Sequence, residues 1–129
     1  MPKWLRFICG IWLIGLIVAC SAPRTYSGQN DGYTATLSLA QLPRANVSQD
    51  ATVAITKDGQ PVNATNVACE LQMPGMTMGS NRPLADQNTD GTYRCGVLFT
   101  MSGEWLVVIH GNDANQSFKI VVSDITVAE

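Results

Sequence analysis

Four methionines follow the first twenty residues of this 129-residue chain, and three of them, Met73, Met76 and Met78, fall within the heptapeptide MPGMTMG; the fourth is Met101. A thioether is a neutral, soft donor, and soft thioether ligands select Cu(I) over hard ions and Zn(II). A Met-x-x-Met-x-Met spacing lets one loop offer several sulfurs to one ion, with Pro74 and Gly75 bending the backbone between them. Two other uses of methionine compete with a Cu(I) site. Its flexible side chain fills irregular gaps at the end of a core or makes an adaptable protein-binding rim, and its sulfur can be spent on oxidants.

Other chemistry has less to stand on. The single histidine, His110, has no serine or cysteine at a spacing that recommends a nucleophile and base. It falls on the outward register of its segment with Leu106 and Val108 and reads as an exposed strand-end residue, not a ligand. Asp86 and Asp90 flank a turn, and no glycine-rich loop opens a helix to cradle phosphate. Three Asn-x-Ser/Thr triplets begin at Asn46, Asn63 and Asn115 and read as ordinary turn residues. The expectation is a binding protein, not an enzyme, with no catalytic residues.

The first residues set the compartment. Lys3 and Arg6 precede an apolar run from Phe7 to Ala19, the layout of a secretory signal peptide. About thirteen apolar residues fall short of the ~20 needed to span a bilayer. The ending Leu16-Ile17-Val18-Ala19-Cys20 resembles the lipobox of bacterial lipoproteins, which makes Cys20 the lipidated first residue of the mature chain, carrying acyl chains such as palmitate. Several acyl chains hold a small domain to a membrane without a transmembrane helix, so the protein is expected on the extracytoplasmic face of a bacterial membrane.

With Cys9 removed and Cys20 lipidated, Cys69 and Cys95 are the two thiols left, in a compartment that permits disulfides. Their pairing is expected to stabilise the fold by about 3 kcal/mol on the chain-entropy estimate. Cleavage also removes Lys3 and Arg6 from the eight basic residues, leaving six against ten acidic ones, a net charge of minus four. Nucleic-acid binding wants a basic stripe and gains no support.

The chemistry needs a scaffold to place it. Residues 1–19 form the signal, residues 20–31 read as the lipidated cysteine and a flexible polar tether, and residues 32–125 as one domain. Within the domain, period-two segments bounded by Gly, Pro, Asn and Asp mark strands near 33–40, 52–57, 66–72, 83–86, 93–99, 105–110 and 117–123. About seven short strands and no helix favour an all-β, antiparallel, Ig-like β-sandwich. Alternation puts Cys69 on one face with Val67 and Leu71, and Cys95 with Tyr93, Val97 and Phe99, both apolar faces. Strand directions then carry the methionine loop and Met101 to one end of the sandwich and His110 to the other.

MPGMTMG, followed by DGTYRCGVLFTMSGEWLVVI, resembles the YtkA-like domain, related to FixH-like proteins, over roughly residues 33 to 123. The likeness lies in a Met-Pro-x-Met-x-Met loop, an acidic-Gly-x-Tyr step, and a Met-x-Gly-x-Trp step at Met101, Gly103 and Trp105. It implies a small extracytoplasmic β-sandwich, often membrane- or lipid-anchored. Through the FixH-like relatives it also implies a link to copper-oxidase assembly, and through related domains a link to metal-efflux systems. The expected cofactor is Cu(I) on Met73, Met76, Met78 and Met101. The open alternative is a non-metal accessory module that binds a membrane protein complex through the same loop.

Overall fold

The computed structural model describes residues 23–76 and 81–129, so Cys20 and Met78 lie outside the described residues. The described residues form nine strands in chain order: β1 Arg24–Asn30, β2 Tyr33–Leu39, β3 Ser48–Lys57, β4 Gln60–Pro61, β5 Thr65–Gln72, β6 Asp86–Gln87, β7 Tyr93–Leu98, β8 Gly103–Asp113 and β9 Gln116–Val127. No described residue is helical. The strands make two sheets, one ordered β1-β2-β3-β7-β6 with β4 also on β3, the other β5-β8-β9. All pairings between strands are antiparallel, and the fold is an all-β sandwich.

Alternation builds the core. In β2 the inward positions Tyr33, Ala35, Leu37 and Leu39 are buried while their neighbours are half-exposed, and β7 buries Tyr93, Cys95 and Val97 in the same rhythm. Trp105, Ile109, Ile120 and Ile125 answer from the second sheet, and no polar or charged described residue is buried. The Cys69–Cys95 disulfide crosses between the layers, from β5 to β7, with Cα atoms 6.4 Å apart and both residues fully buried. Tyr93 ties the layers again, its hydroxyl accepting from the Ala64 amide at 2.6 Å.

Beyond a longer β3, a longer β8 and the added two-residue β4, three segments differ from the sequence reading. The stretch expected as a tether, residues 20–31, contains β1, whose seven residues pair with β2 from Arg24↔Leu39 to Asn30↔Tyr33. None of those residues is buried, so no hydrophobic period announces the strand. The expected strand at 83–86 is split: Pro83 and Asn81 carbonyls accept from the Cys69 and Leu71 amides beside β5, then Asp86 and Gln87 join β7 as β6. The last strand runs past Ser123 to Val127 because a bulge, with Asp124 at φ 63°, shifts the inward set from Val122 to Ile125.

The strand directions define two ends. Leu39, the 40–47 connection, Leu98, Gln72, Gly103 and Val127 lie at one, as the pairings Ser48↔Leu98, Gln72↔Leu106 and Gly103↔Val127 require. The tight turns at Asp31-Gly32, Asp58-Gly59 and Ala114-Asn115 lie at the other.

Candidate functional site

Met73 leaves the end of β5 and opens a tight turn. Its carbonyl accepts from the Met76 amide at 3.2 Å, with Pro74 and Gly75 between them. Gly75 has φ 76°, and proline followed by a residue at positive φ is the signature of a type II turn. The turn thus presents Met73 and Met76 together, as the sequence spacing implies.

Met101 reaches the same end by another route, 28 positions later in the connection between β7 and β8. The Trp105 indole Nε1–H donates to the Met101 carbonyl at 2.9 Å, and the indole meets Phe99 edge-on with centroids 5.3 Å apart. Between them Gly103, at φ 127°, leaves room for the other methionine: a Cβ there would stand 3.2 Å from the Met73 Cε. The Met-x-Gly-x-Trp step therefore has a mechanical reading. Tryptophan pins the Met101 backbone, and glycine admits the Met73 methyl.

Met73 is half-buried against the core, whereas Met76 and Met101 are 51% and 48% exposed. The structure thus brings Met73, Met76 and Met101 to one end of the sandwich; Met78, on the same loop, lies outside the described residues. These neutral thioethers suit a soft monovalent ion and offer nothing to offset the desolvation of a hard divalent one. Among the described residues, no three His, Cys, Asp or Glu side chains converge as an alternative ligand set.

His110 is not part of this group. It lies on β8 opposite Ala68 and Lys119, seven positions beyond Gly103, or about 23 Å along a strand. It is also less exposed than its strand-end position implied. Its Nε2 lies 2.8 Å from Glu70 Oε2, with the two side chains 17% and 23% exposed, and since a carboxylate only accepts, Nε2–H is the donor. That hydrogen bond first, and one from the Gln72 side chain second, hold the Glu70 pKa below its ordinary 4.5. Val108, on the same outward register, is buried between its cross-strand partners Glu70 and Val121.

Beside the pair an open cleft of about 190 Å³ is lined by Asn66, Arg82, His110, Asn112 and Ser117 together with Gly111 and Phe118. Sequence reasoning missed this polar cluster. The available signal was that Glu70 and His110 share an outward face once β5 and β8 pair, which periodicity within either strand does not reveal.

A family model described as YtkA-like matches residues 27–110, from within β1 to His110 in β8, and takes in the methionine turn, the disulfide and the Trp105 step. No curated protein and no solved structure matches the chain. With more than half of its length inside that match, the chain belongs to the YtkA-like family.

Proposed function

We propose that the protein is a lipid-anchored, extracytoplasmic copper-handling protein that takes Cu(I) through methionine sulfurs at one end of its sandwich. The observation that carries this reading is that Met73 and Met76 from the β5 exit and Met101 from the β7–β8 connection lie at the same end of the sandwich, with the Met73 methyl against Gly103 and two of the three half-exposed. Met78 of the same loop completes the donor set by sequence. When bound, Cu(I) would supply the cargo, and this chain's residues would hold it: the Pro74-Gly75 turn presents two sulfurs, and Trp105 fixes the backbone from which Met101 projects. The Cys69–Cys95 disulfide is compatible with an oxidising, extracytoplasmic compartment, and Cys20 is the lipid attachment point. A copper-oxidase assembly system or a metal-efflux system is the partner class that would receive or deliver the ion.

Competition against a Cu(I) chelator tests the site. The wild-type domain should take up one Cu(I) under reducing conditions and show little affinity for Zn(II). Met76→Leu with Met101→Leu should weaken Cu(I) binding by at least roughly tenfold while changing stability by under about 0.5 kcal/mol per exposed site. His110→Ala should bind like wild type. No uptake by the wild-type domain would sink the copper reading.

A second reading is favoured by a separate observation: of the seven exposed large apolar residues among those described, Leu42, Val47, Met76, Leu98 and Met101 lie at this same end. Such a rim suits an accessory module docking on a membrane protein complex without metal. The leucine double variant keeps the rim apolar and removes two donors, so retained complex assembly with lost copper uptake separates the two readings.

A further inference from the structure

The start of β1 has a consequence for how an anchored domain stands on its membrane. Arg24 pairs with Leu39, so the chain enters the sandwich at the methionine end. If Cys20 carries the lipid, as the functional reading holds, only Ser21, Ala22 and Pro23 separate the anchor from the first strand residue. Four Cα–Cα steps reach at most about 14 Å even when fully extended. The eleven residues of β8 run about 36 Å from that end toward the turns. A flexible tether to residue 31 would let the domain turn either end to the lipid; a tether ending at Arg24 does not.

The surface chemistry agrees with the covalent constraint. Among the described residues, five of the seven exposed large apolar ones lie at the methionine end, and Leu84 and Val121 stand on the outside of the second layer. At the opposite end Asp31, Asp58, Asp90 and Asp113 occupy or flank the turns, with Lys57 beside Asp113 through the Tyr33 hydroxyl. The methionine end carries Arg24 and Arg44 beside Glu104 and Glu129, with Asp50 and Asp124 two to three residues further along their strands. What sets the methionine end apart is its exposed apolar side chains, which a lipid interface can take up, and the two arginines beside them.

We infer that the methionine end faces the bilayer holding the anchor, with Leu42, Val47, Leu98 and Met101 at the lipid headgroup boundary and the acidic turns pointing away. The occupant of this apolar end is then the lipid interface itself. The inference rests on the lipid-anchor reading, and the experiment distinguishes its failure from that of the anchor.

After signal removal Trp105 is the sole tryptophan, since Trp4 and Trp12 precede Cys20. The full-length, lipidated protein is reconstituted in phosphatidylethanolamine–phosphatidylglycerol vesicles with or without brominated phosphatidylcholine, as wild type, Leu98→Trp and Asn115→Trp. Leu98 is exposed at the methionine end and Asn115 exposed in the opposite turn, so both variants should fold. Vesicle flotation is measured first, then quenching. Flotation with about half of the added Leu98→Trp emission lost to brominated lipid, and none of the Asn115→Trp emission lost, supports the orientation. Flotation with unquenched Leu98→Trp, or with both variants quenched alike, overturns the orientation, leaves the anchor standing and frees the apolar end for a protein. Failure to float overturns both.

Discussion

Glu70 is held by two side chains, His110 Nε2–H first and Gln72 second, and both favour its charged form. Its folded pKa is therefore depressed below the ordinary 4.5. A depressed carboxylate stabilises the fold above its unfolded pKa, and that contribution is lost as pH falls from about 4.5 through the lower folded value. Thermal midpoints measured from neutral pH downward should fall below pH 4.5 in the wild type, and Glu70→Gln should flatten that fall while costing about 1 kcal/mol at neutral pH. Identical acid slopes for the two proteins would remove the pair from any role in stability. The pair also shows where residue-level reading stops. Glu70 and His110 are 40 positions apart and meet only through the register Ala68↔His110, whereas Met73 and Met76 meet through a four-residue turn spelled out by Pro74 and Gly75.

At the scale of elements, β1 is the part that joins the two layers along one side. It pairs with β2 in the first sheet, and its Gly28 lies against the backbone of β9 in the second; a Cβ at Gly28 would overlap the Val121 carbonyl oxygen. Asn30 then donates its side-chain amide to the Lys119 carbonyl at 2.8 Å. Because the obstructing atom is backbone, Gly28→Ala can be accommodated only by moving β1 or β9. Chemical denaturation should show a loss of about 1–3 kcal/mol, as for other overpacked sites. Gly96→Ala is the matched control: it lies in β7 with φ outside the left-handed region and open space around its Cβ position, so it should be neutral or slightly stabilising. Equal behaviour of the two variants would mean that β1 is not held against β9. The same element was illegible in the sequence. A polar edge strand takes its conformation from neighbours on β2 and β9, not from its own pattern, while β2, β3 and β7 announce themselves by burying alternate residues, and β5 and β8 keep that period with one outward residue each, Ala68 and Val108, buried as well. Bulges hid two boundaries as well, since Asn66 at φ 52° and Asp124 at φ 63° interrupt the period on which strand reading depends.

For the whole molecule the question is what keeps two layers of unequal size together. The second sheet has three strands and meets the larger one through an apolar core, with one covalent link, Cys69–Cys95, inside it. The link was legible because both cysteines alternate with apolar residues on inward faces; its position between the sheets follows from β5 and β7 belonging to different layers. With a sequence separation of 26, the chain-entropy estimate gives about 3.5 kcal/mol. Both cysteines are fully buried, so a reductant reaches the bond only when the sandwich opens. Two results follow from that burial. Incubation with a thiol reductant in native buffer should leave Cys69 and Cys95 unalkylated, and adding denaturant should make both reactive together, because opening either layer exposes both. Cys69→Ala with Cys95→Ala should lower stability by about 3–5 kcal/mol, the entropic loss joined by a small cavity where the sulfurs packed. Rapid reduction in native buffer, or a double variant as stable as wild type, would show that the apolar core alone holds the layers and that the bond contributes nothing to their union.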